Sequence, residues 1–147
     1  MNRLFAGIFF LLIASVPGGC AKKSSEPWEP EQLMPPEELA AILNDPAADR
    51  PLIICIGPGA LIEGSQDVGQ TGEEPNLEKL RTLLSDKDRG QELVIYCGCC
   101  PFEKCPNIRP AFTLLNDMGF TEHRLLNLST NLKTDWIGKG YPVGSIE

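Results

Sequence analysis

Two unbroken apolar runs stand out along the chain. The first, Leu52-Ile53-Ile54-Cys55-Ile56, lies between Pro51 and Gly57-Pro58-Gly59, and the second runs from Glu92 to Cys97. Short apolar runs bounded by turn residues are the pattern of strands buried on both faces. Arg124-Leu125-Leu126-Asn127-Leu128 predicts a third strand, and Ala60-Leu61-Ile62 a short irregular one. Between them, apolar residues recur at helical spacing. Helices are predicted over Pro36–Leu43, over Leu77–Leu84 with Asn76 as cap, over Ile108–Met118 closed by Gly119, and over Leu132–Lys139 ended by Gly140. Proline and acids at the start of the first helix suit its unpaired N–H groups and its dipole. Strands alternating with helices imply an α/β fold in three layers, a mostly parallel sheet of about five strands with helices on both faces.

The first residues follow a different pattern. Arg3 precedes a nearly continuous apolar stretch from Leu4 to Val16, too short to span a bilayer and suited to a signal sequence. Pro17-Gly18-Gly19-Cys20 follows and resembles a bacterial lipobox, in which the cysteine is acylated and becomes the new terminus. The expected organisation is a signal peptide over 1–19, a lipidated, proline-bearing tether over 20–33, and one domain over 34–147. This places the protein in the cell envelope, anchored to a membrane through Cys20 and facing the periplasm or exterior.

Charge removes one class of partner. Thirteen basic and 20 acidic residues give a net charge of −7, with no basic groove, so nucleic acid is excluded.

Cysteine supplies the chemistry. The chain has six cysteines, and setting Cys20 aside leaves Cys55, Cys97, Cys99, Cys100 and Cys105. An odd number leaves one thiol without an intramolecular partner even in an oxidising compartment, which favours a working cysteine over a pure disulfide framework. Cys97 ends the second strand, where open α/β sheets place their sites, and the helix after the loop directs free N–H groups back at it. That field stabilises a thiolate and then a persulfide. Persulfide chemistry requires an approachable Cys97 thiol in a cradle of amide hydrogens, Gly98 among them. Arg109 and Lys104 are candidates to hold an anionic sulfur donor.

The other thiols admit several roles. Cys99, Cys100 and Cys105 support or resolve an intermediate, or brace the loop through a disulfide such as Cys100 to Cys105. Cys55, at the end of a neighbouring parallel strand, is expected within disulfide range of the loop, with core packing as the alternative. Adjacent cysteines rarely face one ion and there is no distant second pair, so the spacing ranks bracing or resolving thiols above a metal site and names no cofactor, while a non-catalytic metal-binding or interaction module stays as a further alternative. No cysteine is followed at the sixth position by arginine, which excludes a tyrosine-phosphatase cradle. Cys97-Gly98-Cys99-Cys100 contains a C-x-x-C, so thiol–disulfide exchange stays open as an alternative activity. The single histidine, His123, is expected at the amino end of the sheet, solvated and far from Cys97.

Several stretches resemble a rhodanese domain. Pro51-Leu52-Ile53-Ile54 is similar to the second strand of that family, and Val94-Ile95-Tyr96-Cys97 to the strand that carries its active-site cysteine. Ala111-Phe112 through Leu115, Met118-Gly119-Phe120 and the tail Asp135-Trp136-Ile137-Gly138-Lys139-Gly140-Tyr141-Pro142-Val143 continue the likeness. Cys55 and Gly57 stand where the family usually has an acid and an arginine, and the loop after Cys97 is longer and richer in thiols. The resemblance implies a sulfurtransferase that moves sulfane sulfur through Cys97, from a small sulfur donor to a thiol acceptor.

Overall fold

β2 (Leu52–Cys55) and β4 (Leu93–Tyr96) are the two apolar runs, and they lie side by side, in parallel, at the centre of the sheet. A computed structural model describes residues 26–144. Its sheet has five strands in the order β1-β5-β4-β2-β3, every pair parallel. β5 (His123–Leu126) flanks β4, while β1 (Leu33–Met34) and β3 (Gln66–Asp67) are two-residue edges. Parallel neighbours need long crossovers, and helices supply them.

The helices divide between the two faces. α2 (Glu74–Leu84) and α3 (Ile108–Asp117) bury Leu80, Leu84, Ile108, Ala111, Phe112 and Leu115 with Ile54, Ile56 and Ile95 of the sheet. α1 (Pro36–Asn44) and α4 (Leu132–Asp135) bury Leu39, Leu43 and Leu132 with Ile53, Val94 and Tyr96 on the opposite face. The three-layer α/β architecture expected from the alternation is therefore present. Among the described residues no helix is long and apolar enough to cross a membrane. The expected signal and the acylated Cys20 lie outside the described residues.

Element ends follow local chemistry. α3 stops at Gly119, whose φ of +80° suits a residue without a β-carbon, and the Gly119 and Phe120 N–H groups donate to the carbonyls of Asn116 and Leu115. α2 begins at Glu74, ahead of the predicted start. Asn76 therefore lies inside the helix rather than capping it, and its amide donates to the Gln70 carbonyl. The predicted last helix is broken at Trp136 into α4 and a 3-10 turn, Ile137–Lys139. Trp136 is fully buried, with its indole N–H donating to the Pro142 carbonyl, and tertiary packing overrides helical continuity there. The Asp135 carboxylate accepts from the Thr130 and Asn131 N–H groups. Ile62 forms an isolated antiparallel bridge with Val143 rather than a strand.

From Glu26 onward, the segment expected as tether over 20–33 packs on the domain. Trp28 is 5% exposed and packs edge-on against Phe112, with Phe102 also in contact. Asn116 donates to the Pro27 carbonyl, Glu26 pairs with Arg109, and Leu33–Met34 adds an edge to β5. The domain thus includes Glu26–Leu33, because one tryptophan supplies enough apolar area to dock a polar segment. His123 also departs from expectation. It lies at the amino end of β5 but is 3% exposed, 4.6 Å from the Phe112 ring, with Nε2 2.8 Å from Asn116 Oδ1.

Candidate functional site

Cys97 is the first residue beyond β4, and side chains alternate across a strand. Tyr96 faces the α1/α4 side, so Cys97 faces the α2/α3 side. The loop then turns back on itself. Phe102 is anchored by its N–H to the Leu128 carbonyl and opens a 3-10 turn, Phe102–Lys104. Residues three apart eclipse in such a turn, so Phe102 and Cys105 both point into the core.

Four sulfurs collect there. Cys99 Sγ lies 3.4 Å from Cys97 Sγ and 3.3 Å from Cys100 Sγ, and the sulfurs of Cys97, Cys99 and Cys105 are all within 4.8 Å of one another. Cys97 and Cys105 are buried, Cys100 is half-buried and Cys99 is exposed. All five described cysteines are free thiols in this structure. The convergence also runs against the reading of the spacing as unsuited to metal, since the turn folds Cys105 back onto Cys97.

Asn107 fixes the inner end of the cluster. Its backbone carbonyl accepts from Thr71 Oγ1 at 2.7 Å, and its side-chain oxygen accepts from the Gly72 N–H at 2.9 Å. With the oxygen committed to Gly72, the amide nitrogen must face Cys97, and it donates to that sulfur at 3.5 Å. The Cys105 thiol, Asn107 and the Cys99 N–H hold the Cys97 thiol well below the usual range, Cys105 contributing most, against the opposing effect of burial. Cys105 is raised because its proton is shared with Cys97. Burial, then the neighbouring sulfurs, push Cys99 up to about 12. The cluster thus favours a single negative charge, centred on Cys97.

The expected amide cradle is therefore present in part, but direct access is not. Cys97 is 1% exposed, and the sulfur 3.4 Å from it, that of Cys99, belongs to an exposed residue. Other expected site residues are placed elsewhere. Arg109 is committed to Glu26 at 2.8 Å and to the Glu103 carbonyl at 2.9 Å, with its guanidinium 5.6 Å above the Trp28 ring. Lys104 is exposed on the 3-10 turn. Gly98 gives its carbonyl to the Leu132 N–H, and a β-carbon on it would meet Leu132 at 2.8 Å, so it serves packing rather than an anion.

Cys55 is not near the loop in the sense expected. It pairs in register with Tyr96, not Cys97, and faces the opposite side of the sheet, where its thiol donates to the Gly59 carbonyl at 3.4 Å. Burial pushes its thiol up. Two residues the motif reading passed over do touch Cys97, Asn107 and Gly57. The signals for them were a buried-strand exit lined with small residues, Gly57-Pro58-Gly59, and an asparagine directly before a helix. No family model and no curated protein matches the chain.

Proposed function

We infer that this domain carries sulfane sulfur, as the rhodanese resemblance implies, with the Cys97 persulfide as the stored form. The observation that carries the reading is the 3.4 Å approach of exposed Cys99 to a buried, hydrogen-bonded Cys97. Sulfur then arrives in two steps. Cys99 attacks the outer sulfur of a small persulfide donor, its thiol proton passing to the departing donor sulfur, and the donor leaves as a thiol. The Cys97 thiolate next attacks the outer sulfur of the Cys99 persulfide. A new S–S bond forms at Cys97, the old one breaks, and the electron pair and a proton return to Cys99 as thiol. Burial then keeps the Cys97 persulfide from water and stray thiols, and the reverse transfer delivers sulfur to an acceptor thiol. Lipid anchoring at Cys20 would hold this carrier at the envelope membrane.

The same proximity supports a second reading, dithiol–disulfide exchange within the loop. Intact-protein mass spectrometry separates them. Metal-free, reduced protein treated with a small persulfide should gain one sulfur atom, mapped to Cys97, and Cys99→Ser should load far more slowly. Loss of two hydrogens with no added sulfur would favour exchange. Loading of Cys99→Ser at the unaltered rate would sink the two-step route.

A further inference from the structure

Sulfur carriage uses Cys97 and Cys99 and leaves Cys105 and Cys100 as neighbours. Yet Cys105 completes a triangle with the first two, every sulfur within 4.8 Å of the others, and Cys100 stands 3.3 Å from Cys99. A cation ringed by thiolates at about 2.3 Å holds those sulfurs roughly 4 Å apart. The triangle is therefore close to a ligand set before any ion arrives. We propose that Cys97, Cys99 and Cys105, with Cys100 as a fourth sulfur where coordination demands it, bind a thiophilic d10 cation, Cu(I) or Zn(II).

The donor chemistry sets the class. The cluster is all sulfur, without histidine or carboxylate, and soft thiolates select Cu(I) and Zn(II) over hard cations such as Mg(II) and Ca(II). Cu(I) is satisfied by the triangle, whereas Zn(II) calls for the fourth ligand. Asn107, locked by Thr71 and Gly72, holds the innermost sulfur in place, as outer-shell partners of metal ligands do. Phe102 and Ile108 supply an apolar surround, and exposed Cys99 is the way in. Each ligating thiol loses its proton to solvent as its sulfur bonds the ion, and no electrons move. The bound ion and the persulfide both occupy the Cys97 sulfur, so each excludes the other. Metal loading is then a regulator of the sulfur carrier proposed above, although the site itself does not depend on that reading.

The test uses the full chain in detergent, reduced and stripped of metal under anaerobic conditions. It is titrated with Cu(I) against bicinchoninate and with Zn(II) against a chromophoric zinc chelator. One ion of either kind per chain, withdrawn from the chelator, is the expected result. Cys105→Ser and Cys99→Ser should each weaken it by about tenfold or more, on the scale of metal-site perturbations, while Cys55→Ser changes nothing. Cys99 is exposed, so its replacement keeps the fold intact, which circular dichroism verifies. Failure to withdraw either ion, or unchanged binding by Cys99→Ser, overturns the proposal. Persulfide loading of metal-free protein judges the sulfur reading separately. A chain that binds the ion but never gains sulfur leaves the metal site standing and removes the carrier.

Discussion

Gly57 lies so close to Cys97 that a β-carbon built on it would stand 2.4 Å from the Cys97 sulfur. No side-chain atom fits at that distance. The backbone after β2 thus forms one wall of the thiol cluster, and the wall is close because residue 57 has no side chain. Gly57→Ala should push the Cys97 sulfur outward or shift the chain, at an overpacking cost of about 1–3 kcal/mol. Urea unfolding reads the loss of stability, and alkylation under native conditions reads the displaced thiol. Unchanged values in both would mean that the wall yields freely.

Asn107 should matter more for stability than for catalysis in the narrow sense. It is 3% exposed and joins Gly72, Thr71 and Cys97. Asn107→Ala removes the acceptor of the Gly72 N–H; Gly72 is exposed and its N–H can turn to water, so the cost is that of an ordinary lost hydrogen bond, about 0.5–1.5 kcal/mol. Denaturant midpoints of Asn107→Ala against the parent chain measure this. A difference within error would show that the Thr71–Gly72 segment finds another partner.

Trp28 tests the domain boundary. A buried tryptophan truncated to alanine loses about 3–5 kcal/mol. Trp28→Ala, and a chain beginning at residue 34, should both melt well below the chain that retains Glu26–Leu33. Equal melting temperatures would return that segment to the role of tether.

His123 should make stability fall on the acid side. Burial lowers its folded-state pKa from the usual 6.5. The unfolded chain therefore takes up a proton at a pH where the folded chain does not. The contribution is full above about pH 6.5, declines as the pH falls through that value, and levels off below the folded-state pKa. Denaturant unfolding across this range should show the decline, and a His123→Gln variant should lose that component of the slope. An identical slope in the variant would assign the decline to carboxylates.

The centre of the fold was legible in the sequence because burial on both faces writes itself as continuous apolar runs. Leu52–Cys55 and Leu93–Tyr96 are found where those runs lie. The edges were not, because two-residue strands such as Gln66–Asp67 carry no period. The thiol loop announced its chemistry by residue type, yet its geometry depended on facts the spacing does not hold. Cys55 was misplaced because strand register decides facing: its partner is Tyr96, and Cys97 points the other way. The partner of Arg109 was not legible because Glu26 lies 83 positions away in a segment read as tether. Asn107 went unnoticed because its value comes from the Thr71–Gly72 segment that orients it.

The sheet also changes the arithmetic of oxidation. The five described cysteines are an odd set only when counted along the chain. In space they divide into four around the loop and one, Cys55, sealed behind the opposite face. The unpaired member is therefore the buried thiol set apart from the loop, and the loop keeps an even complement. An oxidant could consume that complement entirely and still leave a single sulfhydryl among the described residues, revealed only when the protein is unfolded.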